Sequence, residues 1–307
     1  MKFQHQLLLR LTEGEALEQT PELLALIAEY NLEVTEQGES VCITRPLELL
    51  DPSVLQQGIS DRAKTQLSNL DLHWSLASTN TFVLDLAKDK QFHGYACMAE
   101  QQTAGKGRRG RNWVSPFGKN IYLSLGWKLP VSSSLDGLSL AVGCACARAI
   151  RSVSAGVDVK LKWPNDLLIA QGKAGGILVE LGQGGTEFHH VVIGVGINLQ
   201  LSEKDSGGID QPWSIVRGVS RNALAAGLLN QLTESLVDFS KQGFAGFQSE
   251  WNSLDNFAGE TVRLINVGGD TDGIARGVDS SGNLLLEVEG ELRKINAGEV
   301  SLRASKA

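Results

Sequence analysis

The stretch "QQTAGKGRRGRNW", residues 101–113, decides what kind of fold this chain can have. Between Gly105 and Arg111 it holds three glycines and four cations, Lys106, Arg108, Arg109 and Arg111. Glycines let backbone N–H groups approach an anion, and arginine forks match phosphate or carboxylate oxygens. "GKGRRG" has the spacing of a dinucleotide-binding turn, but Asn112-Trp113-Val114-Ser115-Pro116 does not begin a good helix. The four-residue spacer and Lys-Ser/Thr ending of a P-loop are also missing. A buried run, "YACMAE" (95–100), leads into the stretch, and an alternating run, "NIYLSLGWKL" (120–129), leads away. The loop therefore joins strand to strand. By composition it is either a solvated basic turn or a lid that closes over a ligand, with Trp113 and Phe117 as apolar anchors.

The chain around it is acidic. Its 307 residues carry a formal charge of −7, with a pI near 5.3, so any anion site must be local. Hydrophobic content of 42% and charged content of 21% suit a soluble globular protein of two or three domains. Cys42, Cys97, Cys144 and Cys146 form no CxxC pair and read as small apolar residues in a reducing compartment. The opening "MKFQHQLLLRLTEGEA" lacks a secretory core. "LSLAVGCACARAI" (138–150) falls far short of the roughly 20 residues a membrane span needs. The expected location is the cytoplasm, with no membrane partner.

Outward from the loop, strands and helices alternate. "LLLRL" and "PELLALIAEY" (21–30) predict short amphipathic helices, and "LEVTEQGESVCITRP" (32–46) a hairpin around Gly38. Helices followed by a β-wing suggest a winged-helix-like module over 1–60. Its surface is wrong for polyphosphate: residues 1–59 hold three cations against ten acids, a net −7. Residues 51–77 read as a linking segment. "STNTFVLDLAKD" (78–89) predicts a helix capped by Ser78 or Thr79. A largely buried helix is expected over 135–153, and a long one over 220–243 with Ser220 as cap and Gly243 at its end. "VKLKWPNDLLI" (159–169) predicts two strands broken by a Pro-Asn-Asp turn, while "AGGILVEL" (174–181) and "HHVVIGVGINL" (189–199) are glycine-interrupted strands. Five short strands over 261–303, separated by Gly/Asp/Asn/Ser turns, imply a small antiparallel barrel.

Four pieces can carry chemistry. The basic loop is the first. Lys173, at a strand entrance followed by Ala174-Gly175-Gly176, is either an exposed hairpin lysine or a cation set to neutralise phosphate. Asp166, beside Asn165, caps a turn or reaches a ribose or metal. The glycines of "GVGIN" (194–198) mark a bulged strand or the floor of a flat ligand site. Ser78 and Thr79 cap a helix or hold a polar head group near its N-terminus. His5, His73, His93, His189 and His190 form no HxxxH or HExxH pattern, and no Gly-x-Ser-x-Gly elbow occurs, which leaves metalloprotease and serine-hydrolase chemistry without support.

Taken in order, "STNTF", "AEQQTAGKGRRGRNWVSPFGKNIYLSL", "LSLAVG", "KWPNDLLI", "KAGGILVEL", "IGVGIN" and the C-terminal "DNFAGETVRLI", "ARGVDSSGNLLLE" and "GEVSLR" resemble the biotin protein ligases of the three-domain bacterial type that also act as biotin-operon repressors. The resemblance runs from about residue 72 to 303. It implies an α/β (α+β) fold: a class II synthetase-like central mixed sheet with helices over 61–256, and an SH3-like barrel over 257–307. It implies ATP-dependent formation of biotinoyl-5′-AMP, then transfer to a lysine of the biotin carboxyl carrier protein of acetyl-CoA carboxylase. Biotin and ATP are the small-molecule partners. Mg²⁺ is expected to ride on the phosphates, with no dedicated metal site.

Residue by residue, the resemblance gives Lys173 and Arg108 the catalytic roles. Biotin falls to Ser78, Thr79, Asn80, Gln102, Gly105, Lys106, Gly107, Arg108, Lys173, Gly194 and Gly196. The adenylate falls to Arg108, Arg111, Trp113, Asn165, Asp166, Lys173, Asn198 and Trp213, with a loop at about 200–213 beside it. Lys106 stands where the family commonly has Arg, which keeps the charge and loses the planar fork. Family repressors dimerise through the central sheet and bind operator DNA with a basic recognition helix. No such helix is legible here, so operator binding is expected to be weak or lost. The alternatives are a biotin-dependent transcriptional repressor and a lipoate-type ligase.

Overall fold

The computed structural model describes residues 2–88, 90–265, 269–296 and 301–304. Asp89, at the end of the expected helix 78–89, lies outside them, as do 266–268 and 297–300 within the C-terminal run.

The N-terminal module is α1 (Lys2–Thr12), β1 (Leu17–Glu18), α2 (Pro21–Glu29) and the hairpin β2 (Val34–Gln37) and β3 (Ser40–Ile43). Thr20 caps α2 by accepting from Leu23 N–H, and Pro21 supplies a preset first turn. The hairpin turns at Gly38 with φ +64°, a left-handed conformation that glycine tolerates. The sheet order is β1-β3-β2. One helix, α2, stands between β1 and the wing.

Residues 51–77 are not a linker. They form α3 (Pro52–Gly58), α4 (Asp61–Lys64) and β4 (Asn69–Leu76). Asp51 and Ser60 cap the two helices. β4 is half-exposed along its length, so its polar residues hide it from a reading by hydrophobic pattern. Ahead of it, Glu48 is strapped to the start of a helix far along the chain, accepting from Ser220 Oγ, Arg221 N–H and Asn222 Nδ2 at 2.7–2.8 Å. Arg221 is itself 3% exposed and ion-paired with Glu100.

There follow α5 (Thr79–Asp85), β5 (Tyr95–Gln102), β6 (Asn120–Pro130), α6 (Leu138–Val153), β7 (Val159–Lys162), β8 (Asp166–Ile169), β9 (Gly172–Leu181), β10 (Phe188–Asn198), α7 (Arg221–Gln242) and α8 (Gln248–Leu254). The central sheet runs β4-β5-β6-β10-β9-β8-β7. It is mixed: β4 and β5 are parallel, and every other pair is antiparallel. β6 pairs with β10 from Asn120↔Asn198 to Phe188↔Pro130. It is therefore central and buried on both faces rather than alternating, and its Ser124 and Gly126 are packed, not solvated. The small residues of α6 let it lie close against the sheet and α7; Gly143 faces Leu161 at van der Waals distance.

The chain ends in β11 (Thr261–Ile265), β12 (Thr271–Val278), β13 (Leu284–Val288), β14 (Glu291–Ile295) and β15 (Ser301–Ala304). They form an antiparallel sheet in the order β14-β13-β12-β11-β15. Val262, Leu264, Ala275, Val278, Leu284 and Leu286 join the main core. Trp163 Nε1 also donates to Gly282 O at 3.1 Å.

Candidate functional site

A cavity of about 460 Å³ opens on one face of the central sheet, between the basic loop, the Trp-Pro-Asn-Asp turn, the starts of α5 and β9, and residues 208–213. Ser78, Thr79 and Asn80 reach it from the start of α5, and Gln102 from the end of β5. Lys106, Gly107, Arg108, Arg111 and Trp113 come from the loop, and Asn165, Asp166 and Lys173 from β8, β9 and the turn before them. Gly194, Gly196 and Asn198 lie on β10, and Trp213 closes the far side. Every expected site residue lines this one cavity except Gly105. That glycine is buried beneath the loop, where a Cβ would meet Trp113 O at 2.4 Å.

The loop is more ordered than its glycines suggest. Lys106 pairs with Asn112, Gly107 N–H donates to Arg111 O at 2.7 Å, and Trp113 N–H to Gly105 O at 2.9 Å. It is thus a short closed hairpin, with Arg109 held at φ +59° at its tip. Arg108 Nη1 donates across the cavity to Asn165 Oδ1 at 3.3 Å. Burial, with Arg109 close by, draws the Arg108 guanidinium below its usual value, and Asp166 works against that.

Among the described residues Asp166 is engaged by lysines. Its carboxylate bridges two ammonium groups, Lys173 at 2.6 Å and Lys162 at 2.8 Å. Burial opposes its ionisation, but the two lysines outweigh burial and hold its carboxyl below the ordinary 3.8. Lys162 lines the same cavity and was not among the site residues expected from the sequence. The β7–β8 register sets Lys162 opposite Asp166 across the turn, so the cross-strand pair was the available signal. One carboxylate for two ammoniums leaves a net positive charge facing the cavity, to which Arg108, Arg109 and Arg111 add.

The glycines on the strands make room for side chains. A Cβ on Gly194 would sit 2.2 Å from Asn80 Oδ1, and one on Gly196 2.5 Å from the Trp113 ring. So Gly194 seats Asn80 and Gly196 seats the indole, and both glycines also line the cavity. The Lys173 ammonium lies 5.4 Å from the Trp113 ring centroid, and Trp113 Nε1 is buried without a partner. Asn198 spends its amide on Lys173 O and Ser214 O at 3.2–3.3 Å, which ties the segment at Trp213 to β9. Ser78 occupies the N-cap position of α5 but makes no side-chain capping bond. Thr79, Asn80, Gln102 and Ser124 form one hydrogen-bonded set at the other end. The cavity therefore has a hydroxyl and amide end and a cationic end.

Two features tie loops at the rim to the N-terminal module. His5, Trp74, Phe117 and Tyr30 form an aromatic column with successive centroids 4.5–5.8 Å apart. Lys119 bridges Glu33 at 2.6 Å and Asp205 at 2.7 Å. Asp205 lies within the segment 200–213, expected to flank the adenylate.

The profile of the Biotin/lipoate A/B protein ligase family matches residues 74–198, and that of the Biotin protein ligase C terminal domain matches 257–303. The chain is 38% identical over 279 residues to the Bifunctional ligase/repressor BirA of Salmonella typhimurium, covering 89% of this chain and 84% of that protein. It is 33% identical over 240 residues to the Biotin--[acetyl-CoA-carboxylase] ligase of Mycobacterium tuberculosis, covering 75% of this chain and 88% of that one. Among solved structures, the biotin protein ligase of Aquifex aeolicus in complex with biotin and ATP superposes with a TM-score of 0.66 at 28% identity, covering 77% of this chain and 99% of that one. Among the described residues, no helix is long and apolar enough to cross a membrane.

Proposed function

This chain belongs to the biotin protein ligase family, and from that we infer that it is an ATP-dependent biotin–protein ligase whose cavity takes biotin at its hydroxyl end and ATP at its cationic end. The observation that carries the assignment of ends is the lysine pair on Asp166, which faces Arg108 across one cavity while the buried hydroxyls sit apart from both. In the first step a biotin carboxylate oxygen attacks the α-phosphorus of ATP, the bond to pyrophosphate breaks, and biotinoyl-5′-AMP forms. In the second, a lysine amine of a biotin carboxyl carrier protein attacks the acyl carbonyl. AMP leaves with the bonding pair, and the nitrogen gives a proton to solvent. Both transition states place new negative charge on phosphate or acyl oxygen, which fixed cations stabilise most. Lys173 and Arg108 supply it, and Asp166 holds Lys173 in place beforehand. Both Asp166 oxygens are engaged by lysine, so Mg²⁺ carried in with ATP would be held by the nucleotide rather than by Asp166, and would supply charge neutralisation at the phosphates.

Apo carrier domain incubated with ATP and labelled biotin or lipoate tests this. Biotin is expected to enter the carrier with release of AMP. Preferential labelling by lipoate would sink the biotin assignment. We assign the N-terminal module no reading of operator DNA, because its surface is acidic and a single helix separates β1 from the wing, where a helix-turn-helix needs two. A homodimer through the central sheet goes with the ligase reading as a proposal, and sedimentation with and without biotin and ATP tests it.

A further inference from the structure

Three lysines, Lys106, Lys162 and Lys173, line the cavity among the described residues. Two of them are occupied. The Lys162 and Lys173 ammonium groups are both held by the Asp166 carboxylate, at 2.8 and 2.6 Å. An ammonium so held has no lone pair to offer an electrophile. Lys106 differs: it is exposed, and no carboxylate among the described residues pairs with it.

Its neighbours define its place along the basic hairpin. A Cβ on Gly105 would lie 2.7 Å from Ser115 Oγ and 3.1 Å from Gln102 Nε2, so the chain just before Lys106 adjoins the hydroxyl end. Two residues after it, Arg108 reaches Asn165 at the cationic end. Gly107, between them, is extended, with φ −115° and ψ 177°. Side chains two residues apart on extended backbone leave from the same face, so Lys106 starts out on the side from which Arg108 enters the cavity. The Lys106–Asn112 pair fixes this backbone, while the amine moves on a flexible four-carbon stem. Lys106 thus stands beside the middle of the cavity, between the ends assigned to biotin and to ATP. The acyl–phosphate bond of biotinoyl-5′-AMP falls there.

We propose that Lys106 is an internal acceptor: when no carrier is present, its amine takes the biotinoyl group in cis and becomes a biotinylated lysine. The proposal rests on the reading of this cavity as the site of biotin and ATP. The Lys106 amine, after giving one proton to solvent, attacks the acyl carbonyl carbon with its lone pair. The N–C bond forms and the C–O bond to phosphate breaks. AMP leaves with the bonding pair, and the new amide nitrogen gives a second proton to solvent. ATP has already been spent on the anhydride, so no further reactant enters. An amine tethered beside the bond meets it at an effective concentration on the order of mM, far above that of lysines on other molecules in dilute solution. Arginine at this position would keep the charge, but a guanidinium that stays protonated is no acceptor.

The test incubates the full chain with biotin and ATP without carrier, denatures it to strip bound adenylate, and maps biotinoyl amides by peptide mass spectrometry. Labelling of carrier is measured in parallel. One modified residue, Lys106, is expected, with an extent that does not change on diluting the enzyme and that falls when carrier is added. Lys106→Arg is expected to lose the label, also when it is supplied with preformed biotinoyl-5′-AMP, which bypasses adenylate formation. If carrier is labelled while Lys106 stays unmodified, the proposal falls and the ligase reading stands. Label scattered over surface lysines in proportion to enzyme concentration, or kept in Lys106→Arg, overturns it equally. If neither carrier nor chain takes up biotin, both readings fall.

Discussion

At the scale of single residues, Lys173 and Asp166 form a prearranged unit. Lys173 is held at 2.6 Å from a carboxylate that Lys162 also grips, so its ammonium needs little reorganisation when phosphate arrives. Lys173→Ala is expected to slow adenylate formation by about 10²–10³-fold. Pyrophosphate release is the measurement, and an unchanged rate would overturn the role. Asp166 should stay ionised and paired through the working range, because its carboxyl is held below 3.8. Lys173 was legible from the small residues after it, as Ser78 and Thr79 were from the helix start. Lys162 was not, because the turn that brings it to Asp166 had to be treated as a paired hairpin rather than as punctuation.

Among elements, the basic hairpin is the one whose form bears on chemistry. Its backbone is closed by the Lys106–Asn112 pair, and the Arg108–Asn165 bond tethers it across the cavity. Arg108→Gly removes that tether and the guanidinium that we propose covers the anhydride. The variant is expected to release biotinoyl-5′-AMP before carrier arrives, which a chase with unlabelled biotin detects. Firm retention at the wild-type level would refute the shielding role. The N-terminal helices carry the contrary expectation: a gel shift on the chain's own biotin-gene promoter, at low salt with biotin and ATP, should show no sequence-specific complex. A salt-sensitive, sequence-specific shift would show that the module reads DNA. Elements with a strong apolar signature, such as β5, α6 and α7, were legible from periodicity. β4 was not, because an edge strand with Asp71, His73 and Ser75 mixes polar residues into its pattern. β6 was legible as a strand, but its two-sided burial depends on neighbours from distant sequence.

Over the whole molecule, the N-terminal and C-terminal units are joined to the central sheet by named polar contacts as well as by apolar packing. At the C-terminal joint, Asp255 pairs along the outer edge of β7, its Oδ1 accepts from Phe257 N–H, and its Oδ2 is buried without a partner. Burial pushes its carboxyl up to about 6. A raised folded value favours folding below the unfolded value of 3.8 and loses that contribution as pH rises through about 6. At about 1.4 kcal/mol per pKa unit, the ionised form costs on the order of 3 kcal/mol. Asp255→Asn keeps the acceptor for Phe257 and loses the charge. In denaturant unfolding it should be more stable than wild type by about 2–3 kcal/mol near pH 8 and nearly equal to it near pH 4. A difference that does not change with pH would exclude a buried ionising carboxylate at this joint.

The strap at Glu48 has a consequence for how a gene of this kind can be cut and rejoined. Composition invites a breakpoint near codon 60, after the acidic module. A fusion made there would discard Glu48, the acceptor for the first N–H groups of α7, together with the Glu48 O that Arg221 Nη1 reaches at 3.1 Å. It would also remove α3, which packs on α7, and the Leu50 N–H that Glu100 accepts at 2.7 Å. A breakpoint at codon 46 spares all of these. Recombination that exchanges the front of this chain for another is therefore viable some fourteen codons upstream of where the change in composition falls, and residues 47–60 travel with the ligase.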